Sequence, residues 1–315
     1  MICMVAVLMS TYNGAAFLKE QIDSILNQTY SDFVLYIRDD NSTDDTFEML
    51  SNYDDPRIRL IRGLNLGPAG SFFALLQEAL KMQADYLFFS DQDDVWFPGK
   101  LERMLYEIKK YDDRPAMVFS DFTMIDEKGN QIHPSYAQSA SLQVSPGKVG
   151  VHKLIAQPYV FGCASVINKK LAEYVAEPPA GIEMHDCWIS LTAASIGELI
   201  YIPEQTIAHR FHSNNATGKK DHTNFMVRLK RITSGFSKQA ANTALRLHQV
   251  NLLLENYDGQ LLPDVKCLLD DLAKAMHKGR LATVFKLKKL GIGRQKVINT
   301  LFFYLTVLGI KGEIQ

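Results

Sequence analysis

The chain has 315 residues, 47% of them hydrophobic and 22% charged, with a formal net charge of −1. This is a soluble globular composition, enough for one large domain or two ordinary ones with a sizeable core. The cysteines Cys3, Cys163, Cys187 and Cys267 show no paired or zinc-type spacing, which points away from a disulfide scaffold and towards reduced thiols in a cytosolic protein.

The apolar opening "MICMVAVLMS" lacks a basic start and runs straight into "TYNG", so it reads as a core strand over residues 5–9 rather than a signal peptide. Asn13 and Gly14 turn the chain, and Leu18, Ile22, Ile25 and Leu26 then recur at helical spacing. A second strand covers 33–37. In "DDNSTDDT", Ser42 and Asp45 resemble a capping box that opens a helix reaching about residue 52. A third strand covers 57–61, "NLGPAGS" reads as a loop, and a helix covers 71–82 with Phe72, Leu75, Leu76 and Ala79 inward. A fourth strand at 86–89 ends in "SDQDD". This alternation predicts a parallel sheet with helices on both faces.

From about residue 117 the rhythm changes. "MVFSDF" and "YVFGCASVIN" read as strands, a helix follows over 186–196, and "ELIYIP" and "TIAHRF" read as two further strands. Beyond His212 the chain turns polar, then helical and basic, with a boundary near 219. Charge divides there too: residues 1–218 hold 17 Lys/Arg against 28 Asp/Glu, and residues 219–315 hold 17 against 7. The acidic part cannot attract nucleic acid, whereas the basic part suits an anionic surface. No stretch reaches the ~20 apolar residues of a membrane span. The nearest, 297–310, is shorter and carries Asn299, Thr300 and Thr306.

In an open α/β sheet, ligands bind beyond the carboxyl ends of the strands. "STYNG", "RDDNS" and "SDQDD" all fall at such ends. Asp91, Asp93 and Asp94 put three like charges directly after an apolar strand, which is costly unless water or a cation compensates them. A hard divalent cation, Mg²⁺ or Mn²⁺, takes one or two carboxylates plus substrate phosphates. Asp39 suits the ring N–H of a uracil or thymine, or the capping of the next helix. Asp186, at a helix start, suits either a base or a cap.

"VLMSTYNGAAFLKEQIDSIL", "IRDDNSTDDT", "FFSDQDDVW", "GCASVINKKL", "HDCWISLTAASIGELIYIPE" and "HRFHSNNATG" together resemble the family 2 inverting glycosyltransferases with a GT-A fold. Within that family the chain is similar to bacterial rhamnosyltransferases of cell-wall and capsular polysaccharide. The resemblance implies a Rossmann-like mixed α/β sheet flanked by helices over 1–218, with 219–315 as a helical basic extension. It implies donor-nucleotide contacts from Thr11, Tyr12, Asn13, Asp39, Asp91 and Gln92. A Mg²⁺ or Mn²⁺ ion would be held by Asp93 and Asp91, with His212 closing over it, and Asp186 would be the catalytic base. Gly162, Cys163, His185, Cys187 and Trp188 fall on the acceptor side. Cys187 replaces a frequent aromatic, and His209 a frequent tyrosine on that side.

The implied reaction moves a sugar, L-rhamnose from dTDP-L-rhamnose, onto a hydroxyl of a lipid-linked glycan in cell-wall, capsule or O-antigen-type synthesis. UDP-GlcNAc, UDP-Gal and UDP-Glc are alternative donors, and a non-catalytic glycan-binding module of the same fold is the alternative of another class. A nucleotidyltransferase would want a basic Gly-rich loop, and "STYNGAAF" has no basic residue. The implied location is cytoplasmic, peripheral on the inner face of the bacterial membrane, with a homodimer possible. For the tail, Lys286, Lys288, Lys289, Arg294 and Lys296 beside the 297–310 run suit a membrane surface, and packing on the protein's own core or on a subunit is the alternative.

Overall fold

The computed structural model describes residues 4–212 and 235–311. The first half alternates β1 (Val5–Thr11), α1 (Ala15–Leu26), β2 (Phe33–Asp39), α2 (Thr46–Ser51), β3 (Ile58–Arg62), α3 (Gly67–Lys81) and β4 (Tyr86–Ser90). There follow β5 (Val95–Trp96), α4 (Lys100–Ile108), β6 (Ala116–Ile125), β7 (Gln131–His133), α5 (Tyr136–Ala140), β8 (Gly147–Lys148), β9 (Ser165–Asn168), α6 (Lys169–Val175), α7 (His185–Ile196) and β10 (Glu198–Arg210). The chain then becomes helical: α8 (Phe236–Tyr257), α9 (Pro263–His277), α10 (Arg280–Lys289) and α11 (Val297–Leu308).

The strands form one mixed sheet in the order β3-β2-β1-β4-β9-β6-β10-β5, with β7 on β6 and β8 on β10. β3, β2, β1 and β4 are parallel, as are β6 and β10, whereas β9 runs antiparallel to both β4 and β6. One reversed strand between two parallel groups therefore leaves the carboxyl ends of β1, β2, β4, β6 and β10 on one edge. The amino end of β9 lies on that edge too. This arrangement assembles the site.

Successive residues of β1 enter opposite cores, Val5, Val7 and Met9 on one face and Ala6 and Leu8 on the other. Both faces are covered, so the strand reads as a continuous apolar run. α1 and α4 cover one face, while α3, α6 and α7 cover the other.

Several elements differ from expectation. α2 starts at Thr46, and Ser42 does not cap it: the Ser42 hydroxyl accepts from Asn13 N (3.0 Å), and Asp44 Oδ1 accepts from Thr46 N (3.0 Å). Within "NLGPAGS", α3 already starts at Gly67, and Pro68 in its first turn gives up no needed donor. Of "YVFGCASVIN" only Ser165–Asn168 is strand, because Gly162–Ala164 form a single 3-10 turn. "ELIYIP" and "TIAHRF" are one strand, β10, whose register against β6 shifts on either side of Gln205. Pro203, lacking an N–H, sits at the first shift.

The basic helices are built onto the sheet. Leu247, Val250 and Leu253 of α8 and Phe303 and Val307 of α11 share an apolar cluster with Ala6, Leu8 and Trp188. Tyr257 stacks on Trp188 (5.9 Å between centroids) and donates its hydroxyl to Tyr174 O (2.8 Å). The boundary expected near 219, and the 213–218 part of the "HRFHSNNATG" stretch, lie outside the described residues.

Candidate active site

The three strand-end loops are locked together. Gln92 spends both ends of its amide on Tyr12, accepting from its N–H (2.8 Å) and donating to its carbonyl (3.1 Å). Asn13 adopts a left-handed backbone (φ 49°), and its Oδ1 accepts from Thr43 N (2.9 Å). Thr11 is buried and donates to Arg38 O (3.4 Å), whereas Tyr12 is exposed. Gln92 and Asn13 thus hold the site's loops in place, and Tyr12 lends the surface.

The paired carboxylates of "RDD" divide their work. Asp40 forms a buried ion pair with Arg38 and accepts from Leu66 N and Gly67 N (2.9 Å each), tying β2 to the start of α3. Asp39 is fully buried. Its Oδ2 accepts from Ser42 N (3.1 Å), while Oδ1 has no hydrogen-bond partner among the described residues. An orphaned buried acceptor costs about 1–3 kcal/mol, which a donor from a ligand removes.

The acidic loop after β4 carries its own counter-charges. Asp94 is buried, with Oδ1 against His209 Nδ1 (2.8 Å) and accepting from Arg210 N (3.1 Å). Burial works against both charges, but the pairing prevails: Asp94 is held below the usual carboxylate range and His209 is raised to about 9. Arg210 donates through Nε to Asp93 O (2.9 Å) and through Nη2 to Glu20 (2.6 Å), with its guanidinium over Phe17. Lys100, also buried, lies over Trp96 (3.6 Å) and donates to Cys163 O; burial brings it down to about 7, against Cys163, Asp94 and Asp91.

Asp91 and Asp93 remain. Burial first, then repulsion from Asp94 and Asp93, pushes Asp91 up to about 7; burial and Asp94 likewise raise Asp93. His212 Nε2 meets Asp93 Oδ2 at 2.6 Å, with its ring against Phe17. The predicted pair Asp93–His212 is therefore in contact. Asp91 groups with Asp94, Cys163 and His209, whose ligand atoms lie within 4.8 Å of one another. That group does not make a thiolate site, because burial holds the Cys163 thiol well above its ordinary value and His209 is committed to Asp94. The donors suited to a hard cation are carboxylate oxygens, Asp91 in this group and Asp93 two residues on, whose repulsion of Asp91 a dication would relieve.

Across the site, Asp186 lies in the first turn of α7. Its Oδ1 accepts from Cys187 N (2.7 Å) and its Oδ2 from Gly162 N (3.3 Å). It is close enough to Asp91 to contribute to that residue's repulsion. His185 is buried and stacked on Phe72 (4.0 Å), with both ring nitrogens unpartnered among the described residues. Burial holds it below the usual histidine range. Gly162 is required there, since a Cβ would come within 2.7 Å of His185 Nε2.

Three residues expected on the acceptor side are buried. Trp188 is fully buried against Tyr257 and joins α7 to α8. Cys163 and His209 lie beneath the carboxylates, 3.7 Å apart. Reading the sequence missed Lys100 and Arg210 altogether. The available signal was "HRF": a basic pair closing an apolar strand is the complement of an acidic trio closing another.

Comparison with known proteins fits this geometry. The chain is 26% identical over 226 residues to an uncharacterized glycosyltransferase of Rickettsia conorii, covering 70% of this chain and 36% of that protein, so it spans about a third of that relative's length. It is 27% identical over 238 residues to the dTDP-rhamnosyl transferase RfbG of Shigella flexneri, covering 71% of this chain and 78% of the relative. Among solved structures, the mannosyltransferase PcManGT of Pyrobaculum calidifontis, in complex with GDP-Man and Mn²⁺, superposes with a TM-score of 0.55 at 18% identity, covering 97% of this chain and 74% of that one. That likeness establishes the fold, GT-A. The model of the family described as glycosyl transferase family 2 matches residues 6–175, more than half of the 315. With the strand-end loops and the acidic cluster inside the matched segment, the chain belongs to glycosyl transferase family 2.

Proposed function

We propose that the protein is a metal-dependent inverting glycosyltransferase that moves a sugar, dTDP-L-rhamnose being the foremost donor, onto a hydroxyl of a lipid-linked glycan. The observation that carries this reading is the meeting of two carboxylate centres on one sheet edge, with Asp186 on α7 facing the Asp91–Asp93 loop. Asp39 Oδ1, buried and unpartnered, supports a pyrimidine whose ring N–H it would accept. The Shigella flexneri relative's name supports the rhamnosyl donor, and the Mn²⁺ and GDP-Man of the solved neighbour support a cation and a nucleotide sugar.

In this mechanism Asp186, oriented by Gly162 N and Cys187 N, takes the proton of the acceptor hydroxyl. That oxygen bonds to the anomeric carbon as the bond from that carbon to the diphosphate oxygen breaks, so configuration inverts and the nucleoside diphosphate leaves. A cation held by Asp91 and Asp93 would supply the electrophile that stabilises the departing diphosphate. Gln92, through Tyr12, keeps the nucleotide loop in register with the metal loop. His212, in contact with Asp93 and Phe17, would cover the diphosphate.

The test pairs two variants with a donor screen that follows release of dTDP or UDP. Asp186→Asn is expected to lower transfer by ~10²–10⁴ while calorimetric donor affinity stays at the wild-type level. Asp93→Ala is expected to lose metal-dependent donor binding. Wild-type transfer by Asp186→Asn, or activity indifferent to EDTA, overturns the reading. Donor binding without turnover of any donor favours the glycan-binding module instead.

A further inference from the structure

The C-terminal helices bury one side and leave the other bare. On α11, Phe303, Thr306 and Val307 face the core, while Val297, Ile298, Leu301, Leu305 and Leu308 form an exposed stripe, Val297 at 79% and Ile298 at 71%. On α10, Thr283 and Leu287 are buried, whereas Leu281 (68%) and Phe285 (73%) are exposed. Arg280 Nη1 donates to Leu308 O (3.5 Å), so the start of α10 lies beside the end of α11 and the two helices run antiparallel. Large aliphatic side chains in this number, on adjacent helices, mark an interaction surface.

Charge selects the occupant. From residue 279 to 311 the sequence has seven Lys/Arg and no Asp or Glu. Lys274, Lys278, Lys286 and Lys289 line a groove around Phe285, and Asp271, the acid of that groove, is paired with Lys286 (2.9 Å). Against a second copy of the chain, a two-fold contact would set this basic face against itself. An anionic lipid surface offers opposite charge to the lysines and an apolar layer to the leucines. No described helix is long and apolar enough to cross a membrane. α11, with its 12 residues, is about 18 Å long against a hydrocarbon core of ~30 Å. We propose that the exposed face of α10 and α11 docks the protein flat on an anionic lipid bilayer.

The placement of this face deepens the transfer reading, on which its use in acceptor delivery rests. The turn between α10 and α11 is fastened to the segment that precedes Gly162. Arg294 Nε donates to Ala156 O (3.3 Å), Gln295 N to Gln157 Oε1 (3.2 Å), and Gln143 N to Gln295 Oε1 (2.7 Å). Arg294 is thus a structural bolt, with its guanidinium over Phe303, and not the headgroup contact expected from the sequence. The neighbouring Leu154, Ile155 and Pro158 line a small cleft with Glu183, Cys187 and Arg246, one residue from Asp186. A docked bilayer therefore holds the acceptor side of the site at a fixed place relative to the lipid surface.

Full-length protein is sedimented with phosphatidylglycerol-rich vesicles and with phosphatidylcholine vesicles, alongside Leu301→Ser/Leu305→Ser and Lys288→Gln/Lys289→Gln. Both pairs are exposed, and circular dichroism verifies folding. Wild type is expected to bind the anionic vesicles only. The lysine pair is expected to weaken binding about 25-fold, at about fivefold per charge, and the leucine pair to abolish it. All three proteins are expected to retain donor turnover with a soluble acceptor. Wild type that ignores anionic vesicles at low salt, or a leucine pair that binds like wild type, overturns docking. So does a dimer by light scattering that the leucine pair dissolves, since the face then belongs to a second copy. Vesicle binding without turnover of any donor leaves docking standing and removes the transfer reading.

Discussion

Gly14 and Gln92 provide a measurable coupling between the nucleotide loop and the metal loop. A Cβ built on Gly14 lands well inside contact distance of Gln92 Oε1 and Cδ, so alanine there evicts the amide that holds Tyr12. Gln92→Ala loses the same two bonds directly, at ~1 kcal/mol each, or about 1–2 kcal/mol once solvent replaces them in part. Gly14 also caps α1 without positive φ (−109°), and alanine is a poorer cap by about 0.5–1 kcal/mol. Gly14→Ala in the wild type is therefore expected to cost about 1.5–3 kcal/mol. In the Gln92→Ala background only the cap remains, about 0.5–1 kcal/mol. Urea unfolding of the four proteins reads the difference, a coupling of about 1–2 kcal/mol. Calorimetry with dTDP should show the same ordering, because Tyr12 and Asp91 separate in each single variant. Equal costs of Gly14→Ala in both backgrounds would refute the lock.

Gly162→Ala is expected to lower transfer about tenfold to hundredfold with donor affinity unchanged, because its Cβ would meet His185 Nε2 at 2.7 Å and lie 3.6 Å from Asp186 Cβ; loss of donor binding instead would assign this corner to the nucleotide. Burial holds His185 below its unfolded value of ~6.5, so the stability it contributes while neutral is fully present above that pH and is lost as pH falls. Its share of the slope is at most about 1.4 kcal/mol per pH unit. His185→Gln should flatten the loss of stability between pH 7 and 5, roughly the histidine range, whatever it does to the absolute value, and an unchanged slope in urea titrations would exonerate His185.

The ends of β1, β2 and β4 were legible because apolar runs closed by polar clusters are local patterns. The strand after residue 117 that runs antiparallel, β9, was not, since only four residues of a longer apolar run are strand and orientation leaves no mark on composition. Asp39 and Asp40 stand side by side in sequence, yet one is a pillar for α3 and the other keeps a buried, unpartnered oxygen among the described residues. Which is which depends on Leu66 and Gly67, far along the chain. The charges of Asp91, Asp93 and Asp94 raised a sound question with half an answer. Arg210 and His209, more than a hundred residues later, carry no spacing relation to the acidic loop, so their part in balancing it is invisible in the sequence. The capping box expected at Ser42 is absent for a related reason: a hydroxyl near a helix start caps it only when nothing else competes, and Asn13 does.

The reversed strand β9 also bears on how the chain is made. β4 pairs with β1 on one side and waits for β9 on the other. Until Ser165–Asn168 leave the ribosome, "YLFFS" is a bare, apolar, unpaired rim. The gap is about 80 residues, which at ~5–20 residues per second lasts on the order of 4–16 s. Nascent chains stalled with "YLFFS" outside the ribosome and Ser165–Asn168 still inside it should therefore be the ones that chaperones hold and that aggregate in crowded translation extracts. A stall late enough for Ser165–Asn168 to have left the ribosome, so that the rim is sealed, should release them.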